Sequence, residues 1–359
     1  MINVFDITEF GAIGDGKTEC TAAIQNAIDA AAKVKGAVIV PPGRYLCGYI
    51  KLYPSVCFEG YHGWGYRETG GSVLILNDPN AKCLLDITGA FGSCVKGIQF
   101  NGHELAGKGV HGIYLESGKY NGGTFKEGEK DKNPLLDPTQ SKFREDNFVI
   151  TDCQCKNFSG DGIHLSHIFA FTVSDCMLMA NGGDGIYING WDGWIHDCII
   201  HTNNGAGIGS AKENEKSNSA CSSVTMNGNR IEWNKCGGIH LNSGDSLNIN
   251  NNFFDRSGGP AVKFENKYNC VTLVGNIFRR SGKKNFGEFE DKYDNSHIYI
   301  KDADCTAITG NVFKVGIDDC GFGELSPDFC IAYNENCNLQ IECNAYDGGY
   351  LVEDVAVKK

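Results

Sequence analysis

The chain has no apolar run approaching the roughly 18 residues that a membrane-spanning helix needs, so no transmembrane segment is expected. Its opening stretch, MINVFDITEFGAIGDG, lacks a basic region followed by an apolar one, so no signal peptide is expected there. Basic residues are scarce: Lys and Arg number 32 against 44 Asp and Glu, a net charge of −12. That balance opposes binding to nucleic acid or to an anionic membrane. It also opposes a polyanionic substrate unless a cation is recruited. Proline is low at 8, which argues against extended polyproline linkers. There is no C-x-x-C pair, HExxH motif, phosphate-cradling glycine loop, GxSxG elbow or EF-hand. The expectation is therefore no metal and no cofactor. Asp302, Asp304, Asp318 and Asp319 are the oxygen ligands a Ca2+ ion would use, but they follow no calcium motif.

Cysteine is not scarce. There are 17, an odd number, set in strand-like segments rather than in a paired loop framework. This favours a reducing compartment, and a cytoplasmic location is expected, with secretion of a processed form as the alternative. Glycine is also high at 47, as many tight turns require.

The most informative feature is a repeat. FVITDCQCKNFSGDGIHL (148–165) returns as FTVSDCMLMANGGDGIYI (171–188), as WIHDCIIHTNNGAGIG (194–209) and as VTMNGNRIEWNKCGGIHL (224–241). Ile163, Ile186, Ile208, Ile239 and Val262 are equivalent, and differences between their numbers give spacings of 23, 22, 31 and 23 residues. A period near 20–25 with alternating apolar residues predicts a solenoid of short strands, in which residues one repeat apart stack at about 4.8 Å. Cys153, Cys176, Cys198, Asn229, Asn252, Asn276, Asn311 and Asn344 form one column. An asparagine in that place can bond the turn of the next coil, and the cysteines serve as small buried hydrophobes. Ile163 and Leu165 should face inward and His164 outward.

The fold expected is all-β: a single-stranded right-handed parallel β-helix with an N-terminal capping α-helix. It should form one domain over 1–359, with a strand and helix cap in 1–50, repeating coils over 95–345 and an inserted loop at 117–147. Residues Thr21 to Lys33 read as the helix, with Ile24, Ala27, Ile28 and Ala31 on one face and Thr18 or Thr21 as cap. Smaller insertions at Lys212 to Ala220 and Ser281 to Asn295 leave near equivalent strand ends and could help wall a groove.

The stretch NVFDITEFGAIGDGKTECTAAIQNAIDAA followed by AVIVPPGRYLCGYIKL resembles the opening segment of the pectate-lyase-like superfamily. That resemblance implies the β-helix and a carbohydrate-directed function. The polygalacturonase pattern is met only in part: Asp161 and Asp184 match two of its aspartates, whereas Gly183 and Ala206 stand where an aspartate and a histidine are needed. FEGYHGWGYRETGGSVLILN and the NGWD turn at Asn189 to Asp192 bear a looser likeness to the inulin fructotransferases.

Columns narrow the site. Two residues before the reference Ile stand His111, Asp161, Asp184, Ala206 and Gly237, and one after it Tyr114, His164, Tyr187, Gly209, His240 and Lys263. Asp161 and Asp184, one rung apart, form a carboxylate pair suited to glycosidic cleavage. His201, Glu232 and Asp255 stack as a rival catalytic constellation. His164, Tyr187, Trp191, Asp192, His240, Lys263 and Glu265 are candidate sugar contacts; Trp191 is the better surface ring, and Trp194 is expected in the core. The leading reading is an enzyme that cleaves or rearranges glycosidic bonds of a poly- or oligosaccharide. Two others compete: a polysaccharide lyase or epimerase, and a non-catalytic glycan-binding or phage-tail-like module. Assembly as a homo-trimer goes with the last.

Overall fold

A left-handed residue marks one corner of coil after coil. Asp152, Asp175, Asp197, Gly228, Asn251, Gly275, Gly310 and Cys343 have φ between 53° and 69°. All but the last are the residue types that accept this conformation most readily. Each immediately precedes a member of the Cys/Asn column, so the turn and the ladder are one device. In the computed structural model the described residues are 3–66, 70–104, 107–116, 147–210, 221–282, 291–316 and 325–347, with the backbone of 355–358. The expected loop at 117–147 except Asn147, the insertion at 212–220, most of the 281–295 segment and Asp318 and Asp319 therefore lie outside the described residues. Contacts divide the chain into two units, 1–182 and 183–359.

The first unit opens with a strand, Val4–Asp6, a 3-10 turn, Ile7–Phe10, and the helix Thr21–Val34. The helix buries Ile24, Ala27, Ile28 and Ala31 against the 3-10 turn and the first strands, as its periodicity predicts. The cap differs from expectation. Cys20 is the N-cap, and its side chain makes no capping hydrogen bond. Thr18 is held by Asp15 at 2.9 Å, and the Thr21 hydroxyl accepts from Gly48 N at 2.7 Å. Parallel strands then stack in three rows. One holds Gly43–Cys47, Ser72–Leu76, Ile98–Asn101, Gln154–Lys156 and Met177–Met179. A second holds Ile50–Lys51, Cys83–Asp86, His111–Glu116 and the start of Ile163–Ser174. A third holds Ala37–Val40, Cys57–Gly60, Cys94–Lys96, Phe148–Thr151 and the end of Ile163–Ser174. Ile163 and Leu165 are fully buried, facing inward with Phe58, Val95 and Phe100.

The second unit repeats the plan with strands in register from Ile186–His196 to Leu339–Glu342. Ile208, Ile239, Val262 and Ile298 are Cα partners in one inward column. The asparagine ladder takes the predicted form. The Asn252 Oδ1 accepts from both Asn229 N and Asn229 Nδ2 at 3.0 Å, while Asn252 Nδ2 donates to Asn276 Oδ1 at 3.0 Å and Met226 O at 2.9 Å. The pattern continues to Asn311 and Asn344. A second ladder, not anticipated, runs at another corner of this unit: Asn203 N and Nδ2 both donate to Asn234 Oδ1, at 3.1 and 2.9 Å. Phe254, Phe278, Phe313 and Tyr346 form an interior aromatic stack with neighbouring centroids 4.9–5.4 Å apart. Trp194 is a correction: it is 52% exposed, because Ile195 takes the inward position and leaves Trp194 facing out.

Candidate active site

In the first unit the second row of strands carries an outward line of polar side chains. Register places Lys51 beside Asp86, Asp86 beside Tyr114, and Tyr114 beside His164. His111, at the start of its strand, comes against the turn Ser159 to Gly162 of the next coil. Gly160 makes this approach feasible, since a Cβ there would meet His111 Nδ1 at 2.9 Å.

The centre of the line is Asp161, only 3% exposed. Its Oδ2 lies 2.7 Å from His164 Nδ1 and 3.2 Å from His111 Nδ1. These contacts are not equivalent. The Asp161 backbone N–H donates to His111 Nδ1 at 3.0 Å, so that nitrogen carries the lone pair and the ring proton belongs on Nε2. His164 Nδ1–H donates to the carboxylate, which leaves the lone pair of neutral His164 on Nε2. One imidazole is thus set as a base and its neighbour as a donor. Their ring centroids are 4.5 Å apart. Burial works to raise the Asp161 carboxyl, but hydrogen bonds from the two imidazoles, that of His111 made only when its Nδ1 bears a proton, override it and hold the group well below the usual carboxylate range. Asp161 is therefore an anion that orients, not an acid that delivers a proton.

Tyr114 stacks on His164 at 4.9 Å with ring planes 8° apart, and Lys82 Nζ sits 3.8 Å from the Tyr114 centroid. Burial, then Glu116 and Asp86, push the Tyr114 hydroxyl up to about 12, so it remains a donor at neutral pH. Asp86 is itself neutralised. Tyr49 donates to it at 2.8 Å and Lys51 lies at 3.4 Å; burial would raise it, yet Lys51 and hydrogen bonds from Thr88 and Tyr49 bring it below its ordinary value. Glu116 is paired with His167 at 3.0 Å. The ligand atoms of His111, Asp161 and His164 lie within 4.8 Å of one another, close enough for one cation. The backbone proton on His111 Nδ1 competes directly with that use.

The other candidates lie in the second unit. Asp184 is half-buried, and its Oδ1 accepts from Ala206 N at 2.7 Å. A Cβ on Gly205 or Gly209 would stand 2.2 or 2.3 Å from its oxygens, so those two glycines make its seat. Asp161 and Asp184 fall in different units, and each is fixed by its own neighbours. Tyr187 is buried, while Trp191 and Asp192 are half-exposed, Asp192 with φ 55°.

His201, Glu232 and Asp255 stack in register as the columns predict. Their surroundings are not those of an acid–base pair. Arg280, 2% exposed, grips Asp255 with Nε at 2.8 Å and Nη2 at 2.5 Å, and Arg256 adds a contact at 2.9 Å. Arg230 Nη2 stands 2.6 Å from Glu232 Oε1, an ion contact without hydrogen-bond geometry. Burial lowers His201 from its ordinary value.

His240 Nε2 meets Glu265 Oε1 at 2.7 Å, and Lys263 meets the same oxygen at 2.9 Å and Asp294 at 2.8 Å. Lys301 also bonds Glu265. Burial would raise Glu265, but His240, Lys263 and Lys301 hold it well below its usual range. Burial lowers Lys263, and Asp294 with Glu265 more than restore it.

Sequence reasoning placed His111 and Tyr114 in the right columns without choosing them, and it passed over Lys51, Lys82 and Asp86. The signal was present: His111 occupies the column of Asp161, and Tyr114 that of His164.

The right handed beta helix region model matches residues 88–254, and the rhamnogalacturonase A/epimerase, pectate lyase-like model matches residues 2–60. No curated protein matches the chain. Among solved structures, the A-module of a mannuronan C-5 epimerase from Azotobacter vinelandii is 16% identical, with 99% of this chain and 98% of that one covered and a TM-score of 0.59. Tailspike protein 2 of bacteriophage CBA120, as its enzymatically active domain, is 16% identical over 94% of this chain and 47% of that one, at 0.67. The DFA-IIIase of Arthrobacter chlorophenolicus is 15% identical over 100% of this chain and 92% of that one, at 0.64. At such identities the likeness speaks for the fold. Among the described residues no helix is long and apolar enough to cross a membrane. The chain is a right-handed parallel β-helix protein whose opening segment matches a pectate lyase-like model.

Proposed function

We propose that the protein is a polysaccharide-modifying enzyme that removes a ring proton beside a carboxylate, as a uronate lyase or epimerase does. The observation that carries this reading is Asp161 clamped between two imidazoles. A glycosidase of the paired-carboxylate kind needs one carboxylic acid with a raised pKa. Asp161 is displaced the other way. Proton transfer therefore passes to histidine, whose unperturbed pKa lies near neutrality.

In this scheme His164 Nε2 takes the proton at C5. Asp161 steadies the imidazolium that forms. His111 Nε2–H and the Tyr114 hydroxyl are the donors that return a proton, to the opposite face of C5 in an epimerase or to the leaving oxygen in a lyase. Lys82, half-exposed above Tyr114, is the cation suited to a uronate carboxylate. The likeness in fold to a mannuronan epimerase supports the same class, while the DFA-IIIase likeness keeps glycosidic rearrangement as the competing one.

The test is incubation with mannuronan, polygalacturonate and a fructan in deuterated water. Ultraviolet absorbance reports unsaturated ends, and NMR reports deuterium at C5. Unsaturated product or C5 deuterium supports the reading. Reducing ends released without either assigns the protein to glycosidic cleavage instead.

A further inference from the structure

Two cysteines that play no part in this chemistry face each other across adjacent coils of the first unit. Cys57 opens the strand Cys57–Gly60, Cys94 opens Cys94–Lys96, and the two are Cα partners in a parallel pairing. Phe58 and Val95, the next residue in each strand, are fully buried in the core, so both thiols point outward on the same face. Both are half-exposed and unbridged. In-register partners on neighbouring strands stand about 4.8 Å apart, within the roughly 4.4–6.8 Å Cα separation that a disulfide spans.

We propose that Cys57 and Cys94 form a thiol–disulfide exchange site, in which Cys57 attacks a small-molecule disulfide such as oxidised glutathione and Cys94 resolves the adduct into a cross-coil disulfide. The Cys57 thiolate forms a bond to one glutathione sulfur, the glutathione S–S bond breaks, and one glutathione thiolate leaves. Cys94 gives up its proton and attacks Cys57 Sγ, and the second glutathione departs. The protein loses two hydrogens and two reduced glutathiones form.

The surroundings suit these roles. Cys94 donates its S–H to Cys57, which brings the Cys57 thiol down to about 7 against the opposing effects of burial and Glu59, with Lys96 assisting. Cys94 is pushed up in return, first by that same bond and then by burial. Glu59 and Lys96, the charged groups on the same outward face, stand 3.5 Å apart and largely offset each other. At pH 7 the larger thiolate fraction of Cys57, discounted for its lower nucleophilicity, should make it react roughly threefold faster than an unperturbed exposed thiol.

The second unit contains a natural control. Cys270 and Cys305 are exposed and lie between the register pairs Asn269–Asp304 and Val271–Thr306, so they too are cross-coil neighbours. There the Cys270 thiol is pushed up, chiefly by Cys305. Cross-coil placement is shared and thiol activation is not.

The experiment is treatment of the full-length protein with oxidised glutathione at pH 7, followed by alkylation and peptide mapping. The expected result is a Cys57–Cys94 disulfide that forms before any Cys270–Cys305 bridge and is reversed by dithiothreitol. Cys94→Ser should retain glutathione on Cys57, and Cys57→Ser should leave Cys94 unmodified. A Cys57–Cys94 pair that stays alkylatable while Cys270 and Cys305 have reacted overturns the proposal. So does Cys94→Ser protein that takes up no glutathione at Cys57. Alkylation rates on the wild type serve as a check that needs no variant: a Cys57 rate no higher than that of Cys270 refutes the assignment.

Discussion

Asp161→Asn tests the site most directly, because it removes a charge and almost no volume. In the wild type the Asp161 carboxylate accepts from His164 Nδ1 at 2.7 Å and lies 3.2 Å from His111. An asparagine whose oxygen takes the place of Oδ2 keeps one neutral hydrogen bond to His164 and presents that same uncharged oxygen to His111. A hydrogen bond to a charged group is worth about 1.5–3 kcal/mol and a neutral one about 0.5–1.5, so each imidazole loses roughly 1–2 kcal/mol of support when it is cationic. In the proposed scheme His164 becomes an imidazolium only as it takes the proton. The loss therefore falls on the transition state, and kcat should drop about 10- to 30-fold for 1.4–2 kcal/mol. Asp161 is buried under the two rings, so KM should change by less than about twofold if it makes no contact with substrate. A second readout is the pH dependence of stability. A carboxylate with a depressed folded-state pKa contributes stability that is present above its unfolded value, about 3.9, and is lost as pH falls through the folded one. Asp161→Asn should thus be less stable than wild type at neutral pH, and the gap should close in acid. The assay is steady-state kinetics on whichever uronate polymer responds, with urea unfolding at several pH values. An unchanged kcat with a raised KM would refute the orienting role and make Asp161 a binding group.

Three further outcomes follow from the described geometry. Asn252→Ala strips the acceptor from Asn229 N and Nδ2 and the donor from Met226 O, and urea unfolding should show a loss of about 3–5 kcal/mol; a loss under about 1 would mean that the ladder is not stabilising. His297 is fully buried and burial lowers it to about 3, so the folded state binds fewer protons than the unfolded one below pH 6.5. Stability should fall by up to about 1.4 kcal/mol per pH unit between those values, and His297→Leu should flatten that slope in pH-dependent unfolding. Gly209→Ala places a Cβ 2.3 Å from Asp184 Oδ2 and should cost about 2–3 kcal/mol, shrinking below about 1 in an Asp184→Ala background; equal costs in both backgrounds would show that the clash lies elsewhere.

The ladder and the inward columns were legible in sequence because a solenoid converts period into position. Ile163, Ile239 and Asn252 needed only counting. His111 was harder to choose. It bonds Asp161 across 50 residues, with the long insertion between them, and nothing local marks it as a partner. Trp194 failed by one residue of strand phase, since alternation leaves no middle option between core and solvent. The helix cap failed because Asp15 and Gly48 compete for the threonine hydroxyls, a tertiary effect that propensity does not encode. The surroundings of Asp255 were invisible for a similar reason. Arg280 sits at a left-handed corner, φ 51°, and turns into the protein, where Gly316 leaves room: a Cβ there would stand 2.2 Å from Arg280 Cγ.

Those cross-coil partners explain why one cluster stands out. A carboxylate on a crowded rung is costly unless a neighbouring group neutralises it. Three of the described acids on such rungs are met by Lys or Arg. Asp86 has Lys51, Asp255 has Arg280 and Arg256, and Glu265 has Lys263, Lys301 and His240. In each, a Lys or Arg supplies a charge that does not change near neutral pH. Asp161 is answered differently: its side chain meets two imidazoles, as the less buried Glu116 meets that of His167, and an imidazole is the side chain that can give and take a proton near neutral pH. In the proposed scheme the packing rule that pairs the other three acids with fixed charges leaves Asp161 to support proton transfer. Replacing His164 with Lys should preserve the neutralisation and abolish the chemistry, which separates the two roles in a single variant.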